Sequence, residues 1–266
     1  WSLVGSEMCI RDSSLHGEMN AMTVSSTNNF VPNSHWKWRD SHLAYLDLMY
    51  QGNSSLDLSV QGALNAVDVI DSIDLDGAPA GGANYPNGSL GDGLELIAKL
   101  VKQNIGLNVA TIDFGGWDTH NSQGENGGGY FAGRVSTLSE AIYAFFTDLD
   151  ASGYRDCITL VVHSEFGRRV RQNNDRGTDH GSGNPMLVVD GKINGGQVYG
   201  TFPGLANDQL FDNADVAATT DFRSVLSEIL VSKLGNPNID QIFPGFTDNT
   251  PMKFFPELPM FSDGFE

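Results

Sequence analysis

Leu107-Asn108-Val109-Ala110-Thr111-Ile112-Asp113-Phe114 is an apolar run that reads as a buried strand, and Gly115-Gly116 stops it immediately before Trp117, Asp118 and His120. A glycine-rich loop follows. Val135, Leu138, Ile142, Phe145, Phe146 and Leu149 then recur at helical spacing, which predicts a long amphipathic helix ending near Gly153. Ile158 to Val162 is a second apolar run, leading into His163, Ser164, Glu165, Phe166 and Gly167. Strand, helix, strand in that order predicts a right-handed parallel crossover and an α/β fold. Met186 to Val189 predicts a third short strand, preceded by the loop that carries Asp179 and His180.

On the amino-terminal side, apolar residues recur at roughly helical spacing between Trp36 and Ile73 (Leu43, Leu46, Met49, then Leu64, Val67, Ile70), predicting two helices broken around Gly52-Asn53. A Gly/Pro/Asn-rich connection, 77–88, precedes Ser89, an expected N-cap for a helix facing inward through Leu90, Leu94, Ile97 and Val101 and ended by Gly106. On the carboxyl-terminal side, Phe222, Val225, Leu226, Ile229 and Leu230 share one face of a helix over 221–234, with Gly235 and Pro237 beyond it. The expected organisation is a non-native leader over 1–13, which has no helical or strand period, a helical part over 14–84, a core over 85–247 and a flexible tail over 248–266. With that leader removed the chain reads as the carboxyl-terminal part of a longer protein.

The balance of 33 acidic and 15 basic residues, a formal charge of -18, argues against nucleic acid or an anionic membrane surface as the main partner, because both repel an acidic chain. No stretch approaches the ~20 apolar residues of a membrane span, and none has the order of a signal peptide. Cys9 and Cys157 permit at most one disulfide, and Cys157, at the start of an apolar run, reads as a small core residue.

Loops after the carboxyl ends of parallel strands meet in one crevice, and the acidic and imidazole side chains of this sequence fall on such loops. Asp118 and His120 follow the first strand, Glu165 the second, and Asp179 with His180 lies between the second and third. Carboxylate oxygen and imidazole nitrogen are ligands for zinc, manganese or iron, and an i, i+2 pair in extended chain aims both side chains the same way. A plainer reading stays open for each: a turn-capping aspartate beside a solvated histidine, or a glutamate paired with Arg168. His163, at the end of its strand, reads as a core residue or a support behind a ligand, and Ser164 lacks the first glycine of a nucleophile elbow. His35 and His42 read as structural or surface residues. Arg168, Arg169 and Arg171 form a basic cluster suited to phosphate or sulfate, or to salt bridges with nearby carboxylates.

Gly115-Gly116-Trp117-Asp118-Thr119-His120, Ser164-Glu165-Phe166-Gly167-Arg168 and Gly177-Thr178-Asp179-His180-Gly181 resemble, in order and rough spacing, the DUF1501 family of bacterial secreted proteins. The resemblance continues through Gly195-Gly196-Gln197-Val198-Tyr199-Gly200, Thr219-Thr220-Asp221-Phe222-Arg223 and Leu234-Gly235-Asn236-Pro237, covering roughly 85–246. It implies a branch of the alkaline phosphatase and sulfatase superfamily: a three-layer αβα sandwich on a mostly parallel sheet, hydrolysing phosphate or sulfate esters. By that resemblance Asp118, His120 and His180 hold one divalent metal, expected to be zinc with manganese, iron or calcium as the other candidates. Glu165 stands where the superfamily has an acidic ligand of a second metal ~4 Å away. Arg168 holds the anionic ester, small or polymeric, while Asp179, His163 and Ser164 support the ligands.

Two departures qualify the match. The superfamily's first acidic ligand and its nucleophile lie on an upstream strand that this chain is expected to lack, a loss that would leave the fragment inactive. Arg169 stands where a threonine is expected. The resemblance also implies export to the periplasm or beyond. The competing expectation is a secreted, non-catalytic binding protein in which the same residues hold a structural ion.

Overall fold

The computed structural model describes residues 2–5, 21–23, 36–71, 77–248 and 250–256, which fall into two compact units. The first takes the chain up to Gly116 and again over Val135–Tyr154; the second takes Trp117–Arg134 and the chain from Arg155 onward.

In the first unit, strands β1 (Ser2–Gly5), β2 (Ala21–Thr23) and β3 (Val109–Ile112) form a parallel sheet in the order β2-β1-β3. Ser2 pairs with Val109 and Gly5 with Ile112. The middle strand thus comes from the segment in which no strand period was expected, because four residues are too few to display an alternation. Helices α1 (Arg39–Met49) and α2 (Ser55–Asp71) break where Gly52-Asn53 predicts, but α1 buries none of its side chains. His42 on α1 is exposed, and His35 and Cys9 lie outside the described residues.

Helix α3 (Ser89–Lys102) starts one residue earlier than the expected cap allows: Gly88 takes the N-cap place and Ser89 is already helical. Its buried stripe runs through Leu90, Leu94, Ala98 and Leu100, and Gly93 faces Ile112 of β3, where a methyl would come within 3.0 Å of the isoleucine Cδ1. Helix α4 (Tyr130–Ala151) buries Ala141, Ala144, Phe145, Asp148 and Leu149. Asp148 has no solvent exposure, which is tolerable only because its charge is met on all sides. Lys102 Nζ lies 2.8 and 3.0 Å from its two oxygens, the Ala80 N–H donates at 2.7 Å and the Tyr85 hydroxyl at 3.1 Å. Burial, followed by the Asp148 charge, pushes the Tyr85 phenol above its usual range.

In the second unit, β4 (Thr159–Val162) lies antiparallel to β7 (Leu187–Asp190), and β5 (Gly167–Arg168) antiparallel to β6 (His180–Gly181). Among the described residues β3 and β4 lie in separate sheets: the pairing is parallel in the sheet of the first unit and antiparallel in the two ladders of the second. Local pattern predicts the strands but not their partners, which are chosen by side chains distant in sequence. Asp190 closes the β4–β7 ladder: it takes the Thr159 hydroxyl and Lys233 Nζ, each at 2.5 Å. Cys157, expected inside, is exposed, since the ladder begins only after it.

Helix α5 (Phe222–Leu234) ends at Gly235 as expected but begins one residue later than expected, with Asp221 as its N-cap. The Asp221 carboxylate accepts the Arg223 N–H at 2.9 Å, and Gly235 adopts the left-handed conformation at φ 61°. Helix α6 (Ile239–Ile242) follows. The segment expected as a flexible tail is instead tied down over Lys253–Phe255. Phe254 and Phe255 are buried with Val225, and buried Glu228 accepts the N–H groups of Lys253 at 2.9 Å and Phe255 at 3.1 Å. Two phenylalanines in a row bury enough apolar area, about 2 kcal/mol or more each, to offset ordering the chain.

Candidate metal centre

The second unit builds its candidate site from two loops laced together by polar side chains. The Thr178 N–H donates to the Thr119 carbonyl at 3.0 Å, and the hydroxyls of Thr119 and Thr178 both donate to Gln123 Oε1, at 2.9 and 2.8 Å. Ser122 and Gln123 donate their N–H groups to the carbonyls of Asp175 and Arg176. The loops touch at Gly177, where a methyl would fall under 3.0 Å from the His120 carbonyl and the Thr119 oxygen, so this position takes no side chain. From the other direction the β5–β6 hairpin sets Arg168 opposite His180, and the Arg169 N–H holds the Asp179 carbonyl at 2.9 Å.

Asp118, His120 and His180 converge. Nε2 of His120 is 2.9 Å and Nε2 of His180 2.8 Å from the same oxygen, Asp118 Oδ1, and the three side chains are about half exposed, at 46%, 52% and 54% for His120, His180 and Asp118. Nδ1 of His120 faces Asp179 Oδ1 at 3.3 Å, so a carboxylate stands behind the ring as it does behind many metal-ligating imidazoles. His180 is held by stacking on Phe166, centroids 4.1 Å apart at 17°. Arg168 donates from Nη1 to Asp118 Oδ1 at 2.6 Å, from Nε to the Thr178 hydroxyl at 3.0 Å and from Nη2 to the Thr178 carbonyl.

These contacts set the charge of the site. The Arg168 hydrogen bond, then that of His180 and the charges of both histidines, hold the Asp118 carboxyl below the usual carboxylate range. Hydrogen bonds from Asn173 and His120 do the same for Asp179. Two ionised carboxylates beside two half-exposed imidazoles form an electron-pair donor set.

One carboxylate oxygen and two imidazole nitrogens all lie within 4.8 Å of one another, and this mixed set suits zinc, manganese or iron. A tetrahedral zinc with ligand bonds of ~2.1 Å would hold its ligand atoms ~3.4 Å apart, so the two carboxylate–imidazole distances, 2.9 and 2.8 Å, need to open by about half an ångström. Half-exposed side chains can make that adjustment.

The other expected site residues lie around this trio or away from it. Asp179 and Arg168 touch it. Glu165 is exposed and stands outside the group of ligand atoms. His163 stacks on Phe222, centroids 5.3 Å apart, and Ser164 donates to the Phe166 carbonyl at 2.8 Å and takes a hydrogen bond from Asn184. His163, expected in the core or behind a ligand, is thus exposed and away from the trio, while Ser164 fastens the turn from which Phe166 reaches His180. Gln123, Asn173, Thr178 and Phe166 were missed as site residues: each acts on a partner remote in sequence, and only the density of polar residues around Asp179 hints at them.

A family model described as "Protein of unknown function (DUF1501)" matches residues 39–232, a span that includes every residue of this site and begins upstream of the motifs that carry the resemblance. No curated protein and no solved structure matches the chain.

Proposed function

The chain belongs to the DUF1501 family, and on that premise we propose that it is a metal-dependent hydrolase of phosphate or sulfate esters, exported to the periplasm or beyond and built on an alkaline phosphatase-like αβα plan. The observation that carries the reading is the convergence of Asp118, His120 and His180 on one point, with Asp179 behind His120. Asp118 Oδ1 and the two Nε2 atoms would hold a divalent ion, zinc first among the candidates. When bound, such an ion supplies Lewis-acid polarisation of an ester oxygen.

The residues of the chain do the rest. Asp179, 3.3 Å from Nδ1 of His120, would favour the proton on that nitrogen and so leave Nε2 free to hold a metal ion. Phe166 keeps the His180 ring in place. Arg168 spends three of its five N–H bonds on Asp118 and Thr178, and the other two are available to orient an anionic oxygen. The proposal commits to one ion, because Glu165 stands apart from the trio. No helix among the described residues is long and apolar enough to cross a membrane.

The second reading, a secreted binding protein with a structural ion at the same trio, is favoured by the tie of Arg168 to Asp118 and Thr178, which gives the arginine a scaffolding task. Elemental analysis of untagged protein, with hydrolysis of aryl phosphate and aryl sulfate assayed alongside, separates the readings. We expect near-stoichiometric metal and ester hydrolysis in the wild type, both lost in His120→Ala. Metal without hydrolysis supports the binding protein; a His120→Ala variant that keeps tightly bound metal defeats both.

A further inference from the structure

We propose that Asn173 is the positioning residue that sets the metal affinity of this centre, by fixing both the backbone of His120 and the carboxylate behind its ring. The inference rests on the metal reading above. Asn173 Oδ1 accepts the N–H groups of Asp175 and Gly177, each at 3.0 Å, so the amide orientation is determined and Nδ2 is the donor. Nδ2 donates to the His120 carbonyl at 2.8 Å and to Asp179 Oδ1 at 3.0 Å. Every hydrogen-bonding capacity of this one side chain is therefore spent.

The consequence is mechanical. His120 has two points that decide where Nε2 aims: its own main chain, and the contact at Nδ1. Asn173 grips the first directly and the second through Asp179, whose Oδ1 receives both the amide of Asn173 and the His120 ring. The same amide ties the turn of residues 173–177 to the loop that carries Asp118 and His120. Partners in the shell behind a metal ligand commonly change affinity by ~10–100-fold when altered.

The test is a zinc titration against a chromophoric chelator for wild type, Asn173→Asp, Asn173→Ser and His120→Ala, with the His120 Nδ1–H signal followed by NMR in the zinc-loaded protein. Asn173→Asp keeps the shape and the turn acceptors but turns an oxygen toward Asp179 and the His120 carbonyl. Asn173→Ser keeps an oxygen for the turn and is too short to reach Asp179; it decides the matter if the aspartate variant does not fold. Both should bind zinc ~10–100-fold more weakly, with the Nδ1–H signal broadened by exchange. Zinc affinity within about twofold of wild type in a folded variant overturns the inference, as does a fall in melting temperature with an unchanged Nδ1–H signal. If zinc binding depends on His120 but not on Asn173, this inference alone fails. If the wild type binds no zinc, or binds it without His120, the metal reading fails and takes this inference with it.

Discussion

Replacing Gly177 with alanine should open the metal centre without touching a ligand. The added methyl would fall under 3.0 Å from the His120 carbonyl and the Thr119 oxygen, both main-chain atoms that no rotamer change can clear. Relief to ordinary contact requires the two loops to part by on the order of 1 Å. Main-chain overpacking of this kind costs roughly 1–3 kcal/mol, and the narrower unfolded ensemble of alanine returns about 0.4–1 kcal/mol. The net runs from about zero to about 2.6 kcal/mol, a melting temperature lower by up to roughly 10 °C. A displacement of ~1 Å exceeds the half-ångström adjustment that the half-exposed ligands can make, and it carries Asp118 and His120 together away from His180, so zinc affinity should fall by ~10–100-fold. Gly115→Ala is the control, because a methyl there meets nothing within 4 Å. Calorimetric zinc titration and thermal unfolding of both variants decide the matter; a Gly177→Ala protein that binds zinc like the wild type refutes the claim that loop contact at Gly177 positions His120.

Asp148→Ala should destabilise the first unit by ~3–5 kcal/mol in urea unfolding, since it strands Lys102 beside buried polar partners; a loss under ~1 kcal/mol would show that water already reaches the group. The depressed carboxyls of Asp118 and Asp179 give a pH signature. Each is lower in the folded chain than in the unfolded one, so its stabilising contribution is fully present above the ordinary carboxylate pKa and drains away as pH falls through the folded value. The stability gap between wild type and Asp179→Asn at neutral pH should therefore narrow below about pH 4 in denaturant titrations, and a gap that stays constant into acid would contradict the assignment.

The grouping of Asp118, His120 and His180 was legible because each sits in a short glycine-bearing motif on a loop, although residue type alone left a turn-capping aspartate beside a solvated histidine equally open. Element positions were legible for a similar reason. Gly235 ends α5 as the sequence predicts, because the left-handed stop is a property of glycine itself, whereas Asp221 proved to be the cap and not the first helical residue. Pairing was not. β4 chose β7, and β1 inserted beside β3, on the strength of contacts that no local period encodes. Asn173 was illegible for the same cause: an asparagine in a polar turn is ordinary, and its meaning comes from a carbonyl more than fifty residues earlier. Glu165 illustrates the converse, a motif residue whose place after a strand promised convergence that its exposed side chain does not join.

The grip of Glu228 on the main chain at Lys253 and Phe255 also carries a timetable. During synthesis α5 emerges well before those residues, and until they arrive its carboxylate has to stay hydrated and the face around Val225 has no phenylalanine to cover it. The second unit therefore cannot close its core cotranslationally in the order in which it is made. A chain cut short anywhere between Leu234 and Phe255 would keep a charged residue and an apolar stripe that both await the same short segment.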